Sequence, residues 1–219
     1  MRMHGHDHGH GHDHGHGHGP GGERRFPFEK MGRLDALERQ VRQPAHALVK
    51  TISEPLEDGR VPQRLVEIGV GTGYFALLWL ETLPEAELWA ADVEPRMLGV
   101  VMGRAMERGL ARRVHFIEVA AAEAERIPAL EGTFDAMLMA NLLHEIDQRE
   151  SYLTDLHGKL TPGGRLVVCD WDPRASTDHG PPVDHRVPIE EARALLEGAG
   201  FTRVEERPLY GDFYTLVAS

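Results

Sequence analysis

The sequence predicts an α/β protein built on a doubly wound, seven-stranded sheet that is mostly parallel, with the last strand antiparallel. Short apolar segments alternate with longer segments of helical periodicity. A glycine-rich turn follows the first of these segments, and an acidic residue ends the second. Such an alternation places crossover helices on both faces of a mostly parallel sheet.

Residues 1–22 differ in composition from the rest of the chain. Eight histidines there alternate with Gly or Asp: His4, His6, His8, His10, His12, His14, His16 and His18. Such a segment cannot bury a core, so we predict a disordered tail that ends at the Pro20-Gly21-Gly22 hinge. Imidazoles spaced in this way can converge on one ion, which predicts binding of divalent Ni, Zn or Cu. The competing interpretation is a solvated tail without a metal role.

Residues 23–219 are predicted to fold as one domain. The single cysteine, Cys169, rules out an intramolecular disulfide and fits a reducing compartment, so we expect a cytoplasmic protein. No apolar run is long enough to span a membrane. The formal charge of −11 disfavours contact with phosphate backbones, so neither nucleic acid nor membrane is an expected partner.

The elements follow in order along this domain. Residues 23–60 are predicted to form a helical cap, with one helix over 26–41 and a second after Pro44 over 45–52. Strands are predicted at 64–69, 87–92, 114–118, 134–140, 165–171, 202–207 and 213–218. Further helices are predicted at 73–82, 95–108, 149–160 and 189–199. In the helix at 95–108 two rows spaced i, i+4 are expected on the sheet: Met97, Val101 and Ala105, and Leu98, Met102 and Met106.

The strongest functional signal is the segment VEIGVGTGYF at 66–75. Gly69, Gly71 and Gly73 allow positive φ and let a ligand approach the backbone closely. Asp92 ends the next strand, 19 residues after Gly73, where a carboxylate can accept both hydroxyl protons of a ribose. A nucleoside site is therefore predicted, against the alternative of a tight turn and a solvated strand end. The G-x-G-x-G spacing is tighter than the dinucleotide fingerprint, which disfavours a nicotinamide oxidoreductase.

Five segments in order resemble the class I S-adenosylmethionine-dependent methyltransferases, most closely the group of the ubiquinone/menaquinone-biosynthesis enzymes. They are VEIGVGTG at 66–73, LWAADVEPRML at 88–98, GTFDAMLMANLLHEI at 132–146, LTPGGRLVVCDW at 160–171 and LEGAGF at 196–201. The resemblance covers residues 64–219 and implies a Rossmann-like sheet, S-adenosylmethionine as cofactor and a small-molecule substrate.

The resemblance also implies roles for single residues at the cofactor. Glu67 and the backbone of Gly69, Gly71 and Gly73 would hold the methionine end, and Asp92 would hold the ribose. The remaining contacts would be Val93 and Met97 on the adenine, Glu123 and Ala124 near its amino group, and Asn141 and Leu142 under the sulfonium. The family has an acid and a small residue after the third strand, and Glu123-Ala124 is the best match in a segment that departs from that pattern.

Chemistry is expected beyond the carboxyl ends of the strands. His144 beside Glu145 is a candidate general base, and the alternative is a histidine that packs under the cofactor. In the Gly-Pro-Pro segment after the fifth strand, His185 and Arg186 are predicted on a lid, with Arg186 able to bind an anionic substrate. The alternative is a surface loop held by prolines. Trp171 is predicted as a pocket wall.

Two functions of different classes therefore follow from the sequence. The first is an enzyme that transfers a methyl group from S-adenosylmethionine to a small molecule. The second is a metal-handling or cofactor-sensing protein that uses the histidine tail without turnover. Binding of the adenosyl ligands distinguishes both from an oxidoreductase, and turnover distinguishes the first from the second.

Overall fold

Seven strands form one sheet in the computed structural model, which describes residues 26–119 and 133–219. The strands are β1 (Arg64–Ile68), β2 (Glu87–Asp92), β3 (Val114–Glu118), β4 (Phe134–Ala140), β5 (Leu160–Trp171), β6 (Val204–Glu206) and β7 (Phe213–Ala218). Their spatial order is β3-β2-β1-β4-β5-β7-β6, and β7 runs antiparallel to both of its neighbours, β5 and β6. The predicted fold class is confirmed, including the antiparallel last strand.

The order of the strands reverses between β1 and β4. The chain builds outward from β1 to β2 and β3, then returns to place β4 and β5 on the other side of β1. In open sheets of this kind, ligands bind in the crevice outside the carboxyl ends at such a switch point. The glycine turn after β1 and the segments after β2, β4 and β5 therefore all face one region.

Six α-helices accompany the sheet in the described residues. They are α1 (Leu37–Arg42), α2 (Ala45–Ile52), α3 (Ala76–Thr82), α4 (Pro95–Glu107), α5 (Arg149–Lys159) and α6 (Ile189–Gly198). The single helix predicted over 26–41 is wrong in detail: a 3-10 helix at Phe28–Asp35 precedes α1. Ala36 separates the two because its ψ of 142° is extended, not helical.

Apolar side chains cover both faces of the sheet. Alternate residues of β1 point to opposite faces, so Leu65 packs with α2, α3 and α4, whereas Val66 packs with α5 and α6. In α4, the residues Met97, Leu98, Val101 and Ala105 are buried as predicted. Met102 and Met106 are 46% and 66% exposed, which contradicts their predicted packing, because the buried stripe of a helix is only about 100° wide.

No helix in the described part of the chain is long and apolar enough to cross a membrane.

Candidate active site

Three glycines shape the turn that follows β1. Gly69, Gly71 and Gly73 have φ values of 69°, 52° and 77°, a region that glycine adopts without steric cost. A Cβ on Gly69 would lie 3.1 Å from the side chain of Leu142, and a Cβ on Gly71 would lie 3.1 Å from Leu34. The missing side chains therefore allow the turn to lie close to the segment after β4 and to the N-terminal segment.

Asp92, at the end of β2, holds this turn in place. Its Oδ2 accepts a hydrogen bond of 2.8 Å from the backbone N–H of Gly71, and its Oδ1 accepts one of 3.0 Å from the backbone N–H of Glu94. Asp92 is 9% exposed, and burial raises the pKa of its carboxyl despite these bonds. The carboxylate predicted for the ribose thus lies directly beside the glycine turn.

Glu67 lies inside the same crevice, one residue before the end of β1. Its side chain is 3% exposed, and its Oε2 has no hydrogen-bond partner. Burial raises its pKa to about 8, although the positive charge of Arg39 and a hydrogen bond from the backbone of Ala76 oppose that rise. A buried carboxyl oxygen without a hydrogen-bond donor costs free energy. A ligand that donates a hydrogen bond to this oxygen would remove that cost.

A pair of amide side chains closes the crevice behind the end of β4. Asn141 has a φ of 57°, which is rare for a residue other than glycine. Its Nδ2 donates to Oε1 of Gln43 at 2.9 Å, and Nε2 of Gln43 donates to Oδ1 of Asn141 at 3.3 Å. Gln43 is fully buried and also donates to Sγ of Cys169. This pair fixes Asn141 and the adjoining Leu142, for which a contact under the sulfonium stays a prediction.

His144 lies in a 3-10 turn after β4 and bonds to Asp170 near the end of β5. Its Nδ1 is 2.7 Å from Oδ1 of Asp170, and its backbone N–H donates to Oδ2 of Asp170 at 3.0 Å. Oδ1 of Asp170 also accepts from the backbone N–H of Trp171 at 2.8 Å. Asp170 is completely buried and His144 is 8% exposed. The three hydrogen bonds fix the imidazole rigidly, with a carboxylate on its Nδ1 side.

Glu145 lies on the other side of the imidazole. Its Oε1 is 3.8 Å from Nε2 of His144. Burial alone would lower the pKa of His144, but the charge and hydrogen bond of Asp170, with the charge of Glu145, outweigh it and raise that pKa. Burial also raises the pKa of Glu145 to about 7, with Asp92 among the charges that contribute. The charge of Asp92, which bonds to Gly71 in the glycine turn, therefore acts on the carboxyl of Glu145.

Arg186 holds the loop that follows β5. Its guanidinium donates to the carbonyl oxygens of Asp172, His179 and Pro181, and its Cζ lies 5.4 Å from the centre of the Trp171 ring. The residue is only 6% exposed. These bonds fix the shape of the loop, and the predicted contact between Arg186 and an anionic substrate stays a prediction.

His185 and Trp171 occupy different places around the same loop. His185 is partly exposed, and its Nε2 lies 3.9 Å from Oδ2 of Asp184. Among the described residues it has no hydrogen bond or ion pair with His144. Trp171 packs against Phe213 and beneath Gly180, where a Cβ would come within 2.6 Å of the indole. The loop thus covers the indole of Trp171, and the role of this indole as a pocket wall stays a prediction.

The N-terminal segment lies across the glycine turn. Asp35 accepts two hydrogen bonds from Arg104 in α4, at 2.9 and 2.8 Å, and a third from the hydroxyl of Thr72 at 2.9 Å. A backbone hydrogen bond from Phe26 reaches Glu145. The segment that the sequence predicts as a helical cap is therefore joined to both the cofactor turn and the His144 region.

The other predicted contacts are distributed as follows. Val93, which follows Asp92 directly, is half-buried, and Met97, in the first turn of α4, is buried. Glu123 and Ala124 fall outside the described residues, as do all eight histidines of the tail. Within the described ranges, no cluster of three or more His, Cys, Asp or Glu side chains is arranged to hold a metal ion.

Three residues of the site were missed by sequence reasoning. Asp170 could have been found, because β4 and β5 are adjacent and parallel, so that residues just past Ala140 must meet the end of β5. Gln43 and Arg39 carry no such signal, because they come from the N-terminal segment and reach the site only through tertiary packing.

Comparison with known proteins shows what this chain is similar to. Residues 66–168 match the family model of the methyltransferase domain. A demethylmenaquinone methyltransferase of Thermus thermophilus is 35% identical over 139 residues, which are 64% of this chain and 60% of that protein. The ubiquinone/menaquinone biosynthesis C-methyltransferase UbiE of Azotobacter vinelandii is 32% identical over 127 residues, which are 58% of this chain and 49% of that protein. The chain thus spans between about half and three fifths of the length of these relatives.

Solved structures show the same fold. A SAM-dependent methyltransferase from Aquifex aeolicus superposes with a TM-score of 0.76 at 21% identity, covering 89% of this chain and 98% of that one. A putative O-methyltransferase from Nostoc punctiforme gives a TM-score of 0.67 at 21% identity, over 86% of this chain and 59% of that one. These structures share the doubly wound α/β fold with the described residues of this chain. Over these residues the chain is similar to the class I S-adenosylmethionine-dependent methyltransferases, including enzymes of the ubiquinone/menaquinone-biosynthesis group.

The residues present fit S-adenosylmethionine. The unpartnered Oε2 of Glu67 is an acceptor suited to the ammonium group at the methionine end. The left-handed turn at Gly69 and Gly71 lacks side chains where the ligand must approach. Asp92 places a carboxylate at the end of β2, where ribose hydroxyls can donate to it.

Proposed function

We propose that this protein transfers the methyl group of S-adenosylmethionine to a small molecule, with His144 as the general base. The observation that carries the proposal is the 2.7 Å bond between Nδ1 of His144 and Oδ1 of Asp170, beside the glycine turn and Asp92. An ionised Asp170 requires the proton of the neutral imidazole to reside on Nδ1. The lone pair is then on Nε2, so the ring is held in the tautomer that can accept a proton.

The acceptor is proposed to be a small molecule that loses a proton as it is methylated. One relative is named a demethylmenaquinone methyltransferase and another a ubiquinone/menaquinone biosynthesis C-methyltransferase. A hydroxylated aromatic ring fits that chemistry and also explains the presence of a base. S-adenosylmethionine, when bound, supplies a methyl carbon on a positively charged sulfur. The acceptor atom forms a bond to that carbon as the carbon–sulfur bond breaks, and the acceptor proton goes to Nε2 of His144.

The surrounding residues have supporting roles in this proposal. Glu145 and Asp170 flank the imidazole and stabilise its charge when it becomes protonated. Trp171 forms one wall of the acceptor site, and the loop carrying His185 and Arg186 covers it. Because in-line displacement depends mainly on alignment, the rigid placement of these groups matters as much as the base itself.

The test is transfer of an isotope-labelled methyl group from S-adenosylmethionine to a panel of hydroxylated rings, including demethylated quinols. We expect product with the wild-type protein and a loss of about 100-fold or more in His144→Ala, because general-base catalysis typically contributes that much. His157→Gln is the matched control. His157 is exposed, and its ring contacts Phe201 on the face of the sheet that α5 and α6 cover. Equal rates in both variants would remove His144 from the mechanism, and no transfer to any ring would refute the proposed acceptor class.

For the tail, we propose binding of divalent Ni, Zn or Cu by the histidines between His4 and His18. The support is their alternation, which lets several imidazole nitrogens reach one ion. Calorimetric titration of the full chain with each metal should give heat that disappears when residues 2–19 are deleted. Heat that survives the deletion would place the metal elsewhere. A cytoplasmic location is proposed with it, on the basis of the single cysteine.

A further inference from the structure

One face of α4 is uncharged and points away from the rest of the described chain. Met102 and Met106 lie one turn apart on this face and are 46% and 66% exposed. Pro95 and Gly99 continue the same stripe towards the start of the helix, and both are exposed. The four residues, here called the α4 seam, are spaced by four, three and four positions. This is the spacing of the contact line between two packed helices.

Two exposed glycines lie one turn apart on the same side of α4, Gly99 in the seam and Gly103 beside it. Glycine in a helix interior is less favourable than alanine, because it loses more backbone entropy on folding. A Cβ at either position would meet nothing within 4 Å, so the packing of the described chain does not require these glycines. A second helix laid against the seam would require them, because residues without a side chain let another backbone approach closely.

The charges beside the seam define a direction for that second helix. Arg96 and Glu107 are exposed and lie about three helical turns apart, so they share one flank of the seam. Among the described residues Glu107 makes no salt bridge, whereas Arg96 pairs with Glu29 and Glu94. A two-fold axis that sets α4 against an antiparallel copy brings the start of one helix to the end of the other, on the same flank. Arg96 of each copy then faces Glu107 of the other copy.

We propose that the α4 seam is a docking surface for a second copy of this chain, with the two α4 helices antiparallel. In this register Met102 of one copy packs over Gly99 of the other, and the charge pair forms at both ends. Methionine suits such a contact, because its flexible side chain adapts to the opposing surface. The inference is independent of the proposed function, since neither the seam nor its flanking charges have a role proposed in methyl transfer.

The size of the seam limits the strength of the dimer. One helix of 13 residues offers less than the roughly 800 Å² that each partner buries in a standard interface. We therefore expect a dimer that forms and dissociates with concentration. The experiment is sedimentation velocity of the full-length protein from about 1 µM to 1 mM, with EDTA present so that metal ions cannot join histidine tails. The wild type should change from monomer to dimer within this range.

A charge placed in the seam should separate the two copies. Met102→Lys brings two like charges into the contact and should raise the dissociation constant by about tenfold or more. Because Met102 is exposed in the monomer, its Tm should stay near that of the wild type. Val61→Lys is the matched control, since Val61 is similarly exposed, at 52%, and lies before β1 and outside α4. It should dimerise like the wild type.

Exchange of the flanking charges tests the antiparallel direction. Arg96→Glu or Glu107→Arg alone sets like charges against each other and should weaken the dimer by about threefold or more. The double variant Arg96→Glu/Glu107→Arg restores unlike charges and should recover the wild-type dissociation constant.

Each outcome bears on the inference. Concentration-dependent dimers that Met102→Lys weakens and the double charge exchange recovers support it. A monomer at every concentration overturns the inference, and so does equal weakening by Met102→Lys and Val61→Lys, or a dimer that neither affects. Failure of the double exchange to recover what the single exchanges lose overturns the antiparallel pairing.

Discussion

His144 follows β4, Asp170 lies near the end of the adjacent parallel strand β5, and the two meet through two hydrogen bonds, one from the imidazole Nδ1 and one from the backbone N–H of His144. Asp170 is wholly buried, so solvent water does not compete for the hydrogen bonds of its carboxylate. The same residue therefore sets the orientation of the ring, its tautomer and its pKa.

Replacing Asp170 with Asn should impair methyl transfer without affecting cofactor binding. An Asn amide that faces Nδ1 donates a hydrogen bond, which moves the imidazole proton to Nε2 and blocks the base. We expect kcat to fall by about 100-fold or more, while the affinity for S-adenosylhomocysteine stays near the wild-type value. Asp172→Asn is the control, because Asp172 lies two residues further on and pairs with the exposed Arg174. Similar losses of kcat in both variants would contradict a positioning role for Asp170.

The activity of the wild-type protein should rise with pH through the raised pKa of His144. A base acts only when deprotonated, and Asp170 and Glu145 hold the pKa of His144 above its usual 6.5, against the effect of burial and of Arg149. Glu145→Gln removes one of these charges, so the midpoint of kcat against pH should shift to lower pH. A midpoint that stays in place, or moves upward, would contradict the electrostatic coupling between Glu145 and His144.

Replacing Asp92 with Ala should weaken S-adenosylhomocysteine binding by at least about tenfold, because both the ribose acceptor and the tether to Gly71 are lost. Calorimetric titration measures the effect. Asp58→Asn provides the control, since Asp58 lies in an exposed turn and, within residues 26–119 and 133–219, pairs only with Arg60. An unaltered titration of Asp92→Ala would count against the ribose assignment.

Glu67 should make the ligand-free protein less stable as the pH rises from about 5 to 8. Its pKa is about 8 in the folded state and near 4.5 when exposed, so between these values the folded chain holds a proton that the unfolded chain has lost. The stabilisation is fully present below the lower value and is lost as the pH approaches the upper one. Glu67→Gln lacks this loss, so its Tm relative to the wild type should increase with pH. Parallel Tm curves for the two proteins would refute the raised pKa.

Gly71→Ala should destabilise the fold by about 1–2 kcal/mol, because φ is 52° there and a Cβ would lie 3.1 Å from Leu34. Gly99→Ala is the matched control within α4, where a Cβ meets nothing within 4 Å. That change should raise stability by up to about 1 kcal/mol. Urea unfolding measures both variants. Stabilisation by Gly71→Ala would show that the turn does not need its left-handed backbone.

Much of the fold follows from local sequence patterns. The strands and most helices were predicted because burial on both faces of a parallel sheet leaves continuous apolar segments such as 134–140, and β4 is completely buried. The glycine turn and Asp92 were predicted because their backbone and charge requirements are local. The segment at 26–41 was predicted less well, since the extended ψ of 142° at Ala36 breaks the helix and no sequence pattern marks that break.

The site was predictable where one motif contains all its parts. His144 and Glu145 are neighbours in the sequence and were singled out together. Their partner Asp170 is 26 residues away, and only the pairing of β4 with β5 brings it to the imidazole. Arg39 and Gln43 are farther still, and nothing in α1 or its flanks distinguishes them from surface residues until the segment is placed over the glycine turn.

The central claim is that this crevice binds S-adenosylmethionine, and calorimetric titration of the full-length protein with S-adenosylhomocysteine and NADH tests it most directly. We predict saturable binding of S-adenosylhomocysteine that Asp92→Ala weakens, and no binding of NADH. Absence of binding by S-adenosylhomocysteine, or binding of NADH in its place, would contradict the assignment of the cofactor.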